Sequence, residues 1–474
     1  MASYFYFFLL ISFFPYFSNF WKALQSETKS HHGRLKVIRS TSIRGRSKHH
    51  CRSAAASLEV SISTMAHSFS ATAVALALVV ALALVSCGAE GARPTDTDAA
   101  VDVTKFGAKP DGESNSAMAF IQAWNAACKS STGPSKLIIP PGRFMVGETI
   151  FQGPCSSKPV TVEIQGTILA NSDMSEFTGK ECLLFQDVDG LTILGGGIFD
   201  GQGQSAWQYS NCRSSDNCNS PLPISIKFQK VTNGVVQDIN LVNSKGFHMT
   251  ITSCNNFVVE RLNITAPGNS PNTDGIHISR SNQVRVSNSV IGTGDDCISI
   301  GEGSTNVNIS GITCGPGHGI SIGSLGKRPE ENSVSGIFVS NSSLTNTTNG
   351  VRIKTFHNSP KIEASNITFE DITMNEVQNP IIIDQHYRSK KHSTGGVSLV
   401  KISDVHYKNI RGSSISNVAI TLSCSSSVPC EGIELADIDI TLSSNCLKKL
   451  LPLSSSCSFA KPVFKGKQNP PACE

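Results

Sequence analysis

Short apolar segments separated by Gly, Asn and Ser dominate the chain from about Ile224 onward. Segments such as VVQDINLVN and FVVERLNIT alternate with shorter ones such as DGIHIS, DCISIG, HGISIG and NGVRIKT. In the shorter type, Asp274, Asp296 and His318 take equivalent positions at a constant spacing, and Asn349 follows at a longer spacing, as one more coil with an insertion would place it. Repeats of this length indicate the stacked coils of a parallel β-helix. Propeller blades would repeat at about 40 residues, which this spacing does not support.

One helix is predicted ahead of the repeats, at Ser116 to Cys128. Its apolar residues Phe120, Ile121, Trp124 and Ala127 recur at helical spacing. Such a helix would cover the open end of the solenoid and protect its edge strands from pairing with another chain. We therefore expect an all-β fold, a right-handed parallel β-helix with a short N-terminal capping helix, and a single domain over residues 93–474.

The first 92 residues differ from the rest of the chain. Met65 precedes an apolar run, Ala71 to Ser86, which small residues follow. This pattern predicts a secretory signal peptide at 65–92, cleaved near Ala89 to Ala92. Residues 1–64 would then be an upstream extension outside the fold. The alternative is an N-terminal membrane anchor at the aromatic stretch Tyr4 to Trp21, which is barely long enough to span a bilayer.

The distribution of charge argues against a nucleic-acid partner. The whole chain has 40 Lys+Arg and 36 Asp+Glu, a formal net charge of +4. Residues 1–92 contain 9 of the basic and 3 of the acidic residues, so the remainder has 31 basic and 33 acidic residues and a net charge of −2. No basic domain remains to bind a phosphate backbone.

Cysteine usage agrees with export. Thirteen of the 15 cysteines follow the predicted signal, none at convincing zinc-site spacing, so we expect disulfides and at least one thiol without an intramolecular partner. The short spacings are Cys212/Cys218, Cys297/Cys314, Cys424/Cys430 and Cys446/Cys457/Cys473. Five Asn-x-Ser/Thr sequons, plausible glycosylation sites in an exported chain, begin at Asn263, Asn308, Asn341, Asn346 and Asn366.

The regular coil period brings charged residues together. It places Asp274 beside the Asp295–Asp296 pair, and that pair beside His318, in coils about 4.8 Å apart. Carboxylates this close disfavour one another's ionisation, so at least one should stay protonated at mildly acidic pH. Glycoside hydrolysis needs one protonated carboxyl and one ionised carboxylate.

Two cations follow on the next coil. Arg352 and Lys354 lie two residues apart on a strand and share a face, where they suit a substrate with a carboxylate on each sugar. Taken alone, Asp295–Asp296 would more often be a solvated turn or a calcium site, and Arg352 to Lys354 an ordinary outward face. Because all of these residues follow the same coil period and so lie close together, a functional site is favoured.

Four motifs on this period resemble the signature blocks of glycoside hydrolase family 28, the polygalacturonases. They are Asn272-Thr273-Asp274, Gly294-Asp295-Asp296, Gly317-His318-Gly319 and Arg352-Ile353-Lys354. Tyr387 resembles the family's aromatic residue near the substrate. The resemblance runs from about Val101 to the C-terminus, and the segments 106–112 and 123–128 are similar to those of plant pollen-type exo-acting members.

The resemblance implies a role for each residue. Asp295 would be the general acid, Asp274 and Asp296 would hold and deprotonate the attacking water, and His318 would sustain the protonation of the acid or contact the sugar. Galacturonate would be bound by Arg352, Lys354, Tyr387 and Asn272.

The resemblance also implies inversion of the anomeric configuration, which fits carboxyl groups roughly 6.5–9.5 Å apart. We expect no metal and no cofactor. The expected partner is pectin polysaccharide, and the expected protein is a secreted, extracellular cell-wall monomer without stable membrane association after signal removal.

Four alternatives stay open. A pectin lyase would use the carboxylates for calcium and a basic residue as base. A related hydrolase could act on rhamnogalacturonan or xylogalacturonan, and an endo-acting polygalacturonase would carry the same motifs. A non-catalytic wall-binding solenoid would keep the shape without the chemistry, which so convergent a set of titratable residues disfavours.

Overall fold

The structure, a computed structural model, describes residues 99–129, 133–210, 222–387, 396–444 and 451–473. All of them belong to one compact unit, Ala92–Glu474. The predicted extension and signal peptide, together with Cys212, Cys218 and Cys446, lie outside the described residues. Within the described residues, no helix is long and apolar enough to cross a membrane.

Two parallel sheets wind around one apolar core, as the period predicts, and the all-β right-handed parallel β-helix is confirmed. Over the described residues, sheet 1 has 21 strands and sheet 2 has 11. The strands of sheet 1 are β1 (Ala99–Asp102), β2 (Asp111–Asn115), β3 (Ser135–Ile139), β4 (Arg143–Val146), β6 (Val160–Ile164), β7 (Thr167–Ala170), β9 (Leu191–Leu194), β10 (Ile198–Asp200), β12 (Thr232–Gln237), β13 (Asn240–Val242), β15 (Asn255–Glu260), β16 (Asn263–Thr265), β18 (Asn282–Ser287), β19 (Val290–Gly292), β21 (Thr305–Ser310), β22 (Thr313–Cys314), β24 (Val334–Thr345), β26 (Glu363–Val377), β28 (Lys401–Ser414), β30 (Glu431–Leu442) and β32 (Val463–Asn469). The strands of sheet 2, in spatial order, are β5 (Thr149–Gln152), β8 (Glu181–Gln186), β11 (Ile224–Gln229), β14 (Met249–Thr252), β17 (Ile276–Ser279), β20 (Ile298–Ile300), β23 (Ile320–Leu325), β25 (Asn349–Phe356), β27 (Asn379–Tyr387), β29 (Val418–Ser423) and β31 (Ser454–Ser458).

The register of sheet 2 confirms the period. Ile276, Ile298, Ile320 and Val351 are successive partners along β17, β20, β23 and β25, so two equal steps are followed by a longer one. In sheet 1, Thr305 of β21 pairs with Ser335 of β24. The number of residues between these partners is also larger than in the two equal steps of sheet 2. Most of the insertion therefore lies in the segment that follows the sheet 2 strand β23 and precedes β24.

A column of aromatic rings forms the core beneath the first coils. Phe151, Phe185 and Phe228 occupy partnered positions on β5, β8 and β11, with ring centroids 4.6 Å and 5.5 Å apart. Phe257 extends the column at 4.9 Å from Phe228. Such pairs add to the apolar burial that in-register stacking already provides.

The capping helix closes this column. Helix α1 spans Ala117–Lys129, shifted by one residue from the predicted range, and its Trp124 lies 5.2 Å from the Phe151 ring. The indole Nε1 of Trp124 donates a hydrogen bond to the Gln152 carbonyl. Short 3-10 helices lie at Val103–Phe106, Met174–Glu176, Gly203–Ser205 and Trp207–Tyr209.

Disulfides pin the coils at several levels. The predicted bonds Cys297–Cys314 and Cys424–Cys430 are present, and Cys473 bonds to Cys457. A fourth bond, Cys128–Cys155, ties α1 to the solenoid, and the sequence spacing did not reveal it because its 27-residue separation is longer than the others. Cys182 and Cys254 are buried thiols, in line with the odd cysteine count.

Replacing both Cys297 and Cys314 by alanine should destabilise the solenoid. The two cysteines are 17 positions apart, and loss of the bond restores chain entropy to the unfolded state worth about 3 kcal/mol. Denaturant unfolding measures the change, with Cys254→Ala as a control that leaves every observed disulfide intact. An unfolding midpoint unchanged from wild type would contradict the stabilising role of this bond.

Candidate active site

The predicted motifs meet on the outer face of sheet 2, in the consecutive coils of β17, β20, β23 and β25. Each of these coils contributes the residue two positions before its partnered Ile or Val. In chain order these residues are Asp274, Asp296, His318 and Asn349. The equivalence that the sequence predicts is therefore present in the structure.

Asp296 is buried between two cations. Arg352 Nη2 donates to its Oδ1 at 2.9 Å, and Lys354 Nζ donates to its Oδ2 at 2.6 Å. Ser321 Oγ also donates to Oδ1 at 2.8 Å and accepts a hydrogen bond from Arg352 Nε at 3.0 Å. Both carboxylate oxygens are thus engaged, and the charge of Asp296 is balanced by the residues predicted to bind substrate.

Asp295 is paired with His318. The two are joined by a 2.9 Å hydrogen bond between His318 Nδ1 and Asp295 Oδ1, which also accepts from the Asp296 backbone N–H at 2.8 Å. Burial alone raises the pKa of Asp295, but the hydrogen bond and charge of His318, together with Lys354, lower it to about 2. The His318 side chain is 39% exposed, so this pair lies at the boundary between the solenoid and solvent.

Asp274 has a different environment. It is buried, and Ser299 Oγ donates to its Oδ2 at 2.8 Å. Burial, followed by the charges of Asp295 and Asp296, raises its pKa well above the usual value, and Lys354 and Ser299 offset only part of that rise. Asp274 is therefore the carboxyl that retains a proton most readily in the unliganded site.

These three carboxyl groups lie in a long groove over sheet 2. The groove extends from Lys180 and Lys227 at one end to Phe356 and Tyr387 at the other. Arg280, Lys327 and Arg328 also line it. Cations along the whole length make it suitable for a polyanionic chain.

Tyr387 and Asn272, both predicted to bind substrate, line the same groove. The Tyr387 ring lies 5.3 Å from Lys354 Nζ and 5.9 Å from the Arg352 guanidinium carbon. It also packs edge-on against Phe356, its partner in the sheet. An aromatic wall thus stands beside the two cations.

Comparison with known proteins identifies the family. The model for glycosyl hydrolases family 28 matches residues 128–459. An exopolygalacturonase from Oenothera organensis is 46% identical over 360 residues, which cover 76% of this chain and 98% of the relative. A polygalacturonase from Gossypium barbadense is 47% identical, over 78% of this chain and 89% of the relative. The chain belongs to glycosyl hydrolases family 28.

Solved structures agree on the fold of this family 28 chain. An exopolygalacturonase from Thermotoga maritima superimposes with a TM-score of 0.65 at 18% identity, over 77% of this chain and 90% of that one. An endo-xylogalacturonan hydrolase from Aspergillus tubingensis gives 0.67 at 22% identity, over 78% and 99%. At such low identity the likeness concerns the fold alone.

Asp295, Asp296 and His318 of this family 28 chain could be mistaken for a metal site. Their potential ligand atoms all lie within 4.8 Å of one another. However, both oxygens of Asp296 already accept hydrogen bonds from Arg352 and Lys354. A divalent ion would have to displace these cations or share the carboxylate with them, so the donor set fits an ion poorly.

Two of the three carboxyl groups lie close together. One carboxylate oxygen of Asp295 lies within 4.8 Å of one carboxylate oxygen of Asp296. The two residues are adjacent in the chain, and His318 and the cations hold their side chains on the same side of the sheet.

The motifs alone did not reveal three polar residues of the site. Ser299 and Ser321 are partners on β20 and β23, and they bond to Asp274 and Asp296, respectively. His277, on β17, bonds to Ser299. The repeated Ile-Ser-Ile of DCISIG and HGISIG was the available signal, because it places both serines on the outer face one coil apart.

Substituting Asp274 and Asp296 by asparagine should change stability in opposite directions. The folded-state pKa of Asp274 is raised, so its contribution to stability is present below the unfolded-state pKa of about 3.9 and is lost as pH rises toward the folded-state value. Asp274→Asn should therefore raise the free energy of unfolding at pH 7, with a smaller gain at lower pH.

Asp296→Asn leaves Arg352 and Lys354 without their counter-charge and should cost roughly 3 kcal/mol. Thermal or denaturant unfolding of both variants between pH 4 and pH 7 measures the effects. A loss of stability in Asp274→Asn at pH 7 would contradict the electrostatic description of the site.

Proposed function

We propose that this chain is a secreted enzyme that hydrolyses the α-1,4-galacturonosyl linkages of pectin with inversion, acting from the chain end. The observation that carries the proposal is the grouping of three carboxyls with unequal proton affinity beside Arg352 and Lys354 in a cation-lined groove. The names of the relatives, polygalacturonase and exopolygalacturonase, support the substrate and the lean toward exo action.

Asp295 is proposed as the general acid. In the unliganded groove its pKa is low, which by itself would leave it without a proton to donate. The hydrogen bond to His318 supplies a route for that proton, because an Asp295 carboxylate with a His318 imidazolium contains the same proton as an Asp295 carboxylic acid with a neutral imidazole. Transfer across the 2.9 Å hydrogen bond converts one pair into the other.

Substrate binding favours the neutral pair. A galacturonate carboxylate adds negative charge near Asp295, and the sugar excludes water from the site. Both effects raise the pKa of Asp295 relative to the unliganded groove. Asp295 is thus protonated at the time when the glycosidic oxygen that will receive its proton is in place.

Asp274 and Asp296 are proposed to hold and deprotonate the attacking water. Asp296 is held by hydrogen bonds from Arg352 and Lys354 and would orient the water. Asp274 accepts the proton, since its raised proton affinity makes it the stronger base once it is ionised.

Galacturonate recognition is proposed to use the same cations. Arg352 and Lys354 are bound to Asp296 in the unliganded site and can share their remaining N–H groups with a sugar carboxylate. Tyr387 beside them offers an apolar ring face to the sugar, and Asn272 supplies an amide at the groove wall.

Export is proposed from the cysteine chemistry. Four disulfides occur within the described residues, and such bonds persist in oxidising compartments. The relatives are plant polygalacturonases, so the expected destination is the extracellular cell wall, where the chain would act as a monomer on pectin.

Asp295→Asn should lower kcat by at least about 100-fold, because the amide cannot donate the acid proton. KM should change little. Reducing-end assays on polygalacturonic acid measure both constants. Asp439→Asn, on the outer face of sheet 1, is the matched control and should retain wild-type activity. Substantial activity in a folded Asp295→Asn enzyme would sink the assignment of the acid.

The product profile on polygalacturonic acid tests the reaction. We expect single galacturonate from the first time points, resolved by chromatography alongside a count of new reducing ends. A ladder of mid-length oligomers would keep hydrolysis and replace exo by endo action. An unsaturated, ultraviolet-absorbing product would establish a lyase instead. Absence of new reducing ends from folded protein would refute the substrate assignment.

A further inference from the structure

A hydrogen-bonded chain leads away from Asp274 along the floor of the groove. Ser299 Oγ lies 2.8 Å from Asp274 Oδ2, and His277 Nδ1 lies 2.8 Å from the same Ser299 Oγ. His277 and Ser299 are partners on β17 and β20, so the sheet register brings them together. The mechanism proposed above uses neither residue.

This chain supports two arrangements of protons. When Asp274 is ionised, His277 Nδ1–H donates to Ser299, whose hydroxyl donates to the carboxylate. When Asp274 is protonated, its O–H donates to Ser299, whose hydroxyl donates to an unprotonated Nδ1. A hydroxyl is both donor and acceptor, and an imidazole has one nitrogen of each kind, so both arrangements satisfy every group.

The far side of His277 meets the groove. The ring lines the groove, and within the described residues its Nε2 forms no hydrogen bond to the protein and is not among the buried polar atoms that lack a partner. Gly301 provides the space for the ring, because a Cβ at that position would lie 3.1 Å from His277 Cε1 and 3.2 Å from Nε2. Any larger residue at position 301 would press against the imidazole.

Burial, assisted by charged neighbours, keeps His277 neutral. Burial lowers its pKa to about 4, and Lys354, Arg280 and Arg328 contribute to the lowering, whereas Asp296 opposes it. A neutral imidazole is ready to accept a proton and does not hold it once water is available.

An inverting hydrolysis leaves its base protonated at the end of each turnover. Asp274 is almost fully buried although it lines the groove, and its raised proton affinity disfavours loss of this proton. The proton must nevertheless leave Asp274 before the next turnover. This need arises only if Asp274 acts as the base, so the inference rests on the proposed function.

We propose that Ser299 and His277 form a proton relay that returns Asp274 to its ionised state after each turnover. The O–H bond of Asp274 breaks as a new one forms at Ser299 Oγ, and the original hydroxyl proton of Ser299 passes to His277 Nδ1. The imidazolium then releases its Nε2 proton to groove water. One proton leaves Asp274, one reaches solvent, and no group is oxidised or reduced.

The relay leaves His277 as the Nδ1–H tautomer, which holds the ionised Asp274 in place through Ser299. To reset the relay, the ring turns about its Cβ–Cγ bond, Nδ1 releases its proton to groove water, Nε2 takes one up from groove water, and the ring turns back. His277 acts through Ser299 and does not touch the reacting atoms, so it is a positioning residue for the base.

The decisive variant is His277→Asn. Its amide nitrogen replaces Nδ1 as a donor to Ser299 and keeps Asp274 oriented, but it cannot accept and release a proton. In the full-length enzyme we expect kcat on polygalacturonic acid to fall about tenfold or more with KM nearly unchanged. Imidazole added to the buffer should restore part of kcat in this variant and leave wild type unaffected, and the solvent deuterium isotope effect on kcat should rise.

Controls separate the relay from simpler explanations. His406→Asn, on the outer face of sheet 1, should behave as wild type. Ser299→Ala should lose activity without rescue by imidazole, because it removes the link to Asp274. Wild-type kcat in His277→Asn, or a loss that neither responds to imidazole nor changes the isotope effect, would overturn the relay. Inactive wild-type enzyme would instead refute the proposed function.

Discussion

Parallel coils pair in register about 4.8 Å apart, and this spacing determines how the site is assembled. Along β17, β20 and β23, each full coil carries one outward position to the same position on the next coil. The apolar interior, with its aromatic column and disulfides, keeps that register from slipping. Asp274, Asp296 and His318 are neighbours because the core beneath them is stacked, although they are distant in sequence.

The three carboxyl groups of the site differ in how far neighbouring residues compensate their charge, and the site depends on this difference. Asp296 is compensated by two cations and Asp295 by His318, whereas Asp274 is buried with a single hydroxyl donor. Burial, followed by the charges of the other two carboxyl groups, raises the pKa of Asp274, whereas the hydrogen bond and charge of His318 lower that of Asp295. Different environments for three similar groups are what acid–base catalysis needs, at some expense in stability.

Much of this arrangement could be predicted from the sequence, because the repeat period and the spacing of the motifs both place the same residues on neighbouring coils. The alternation of segments predicted the parallel coils, and uninterrupted spacing placed Asp274, Asp296 and His318 together. Two features of the site could not be predicted from the sequence. The binding of both cations to Asp296 depends on side-chain direction and depth, which spacing does not contain. The short separation of Asp295 from Asp296 depends on the same variables.

The stereochemistry of hydrolysis tests the proposed mechanism most directly, since it shows from which face of the sugar ring the water attacks. Proton NMR of a digest of polygalacturonic acid in its first minutes shows which anomer of galacturonate forms before mutarotation. The account predicts the β-anomer first, from water activated by Asp274 and Asp296 on the face opposite the leaving group. Initial release of the α-anomer would contradict inversion and the roles assigned to these two carboxylates.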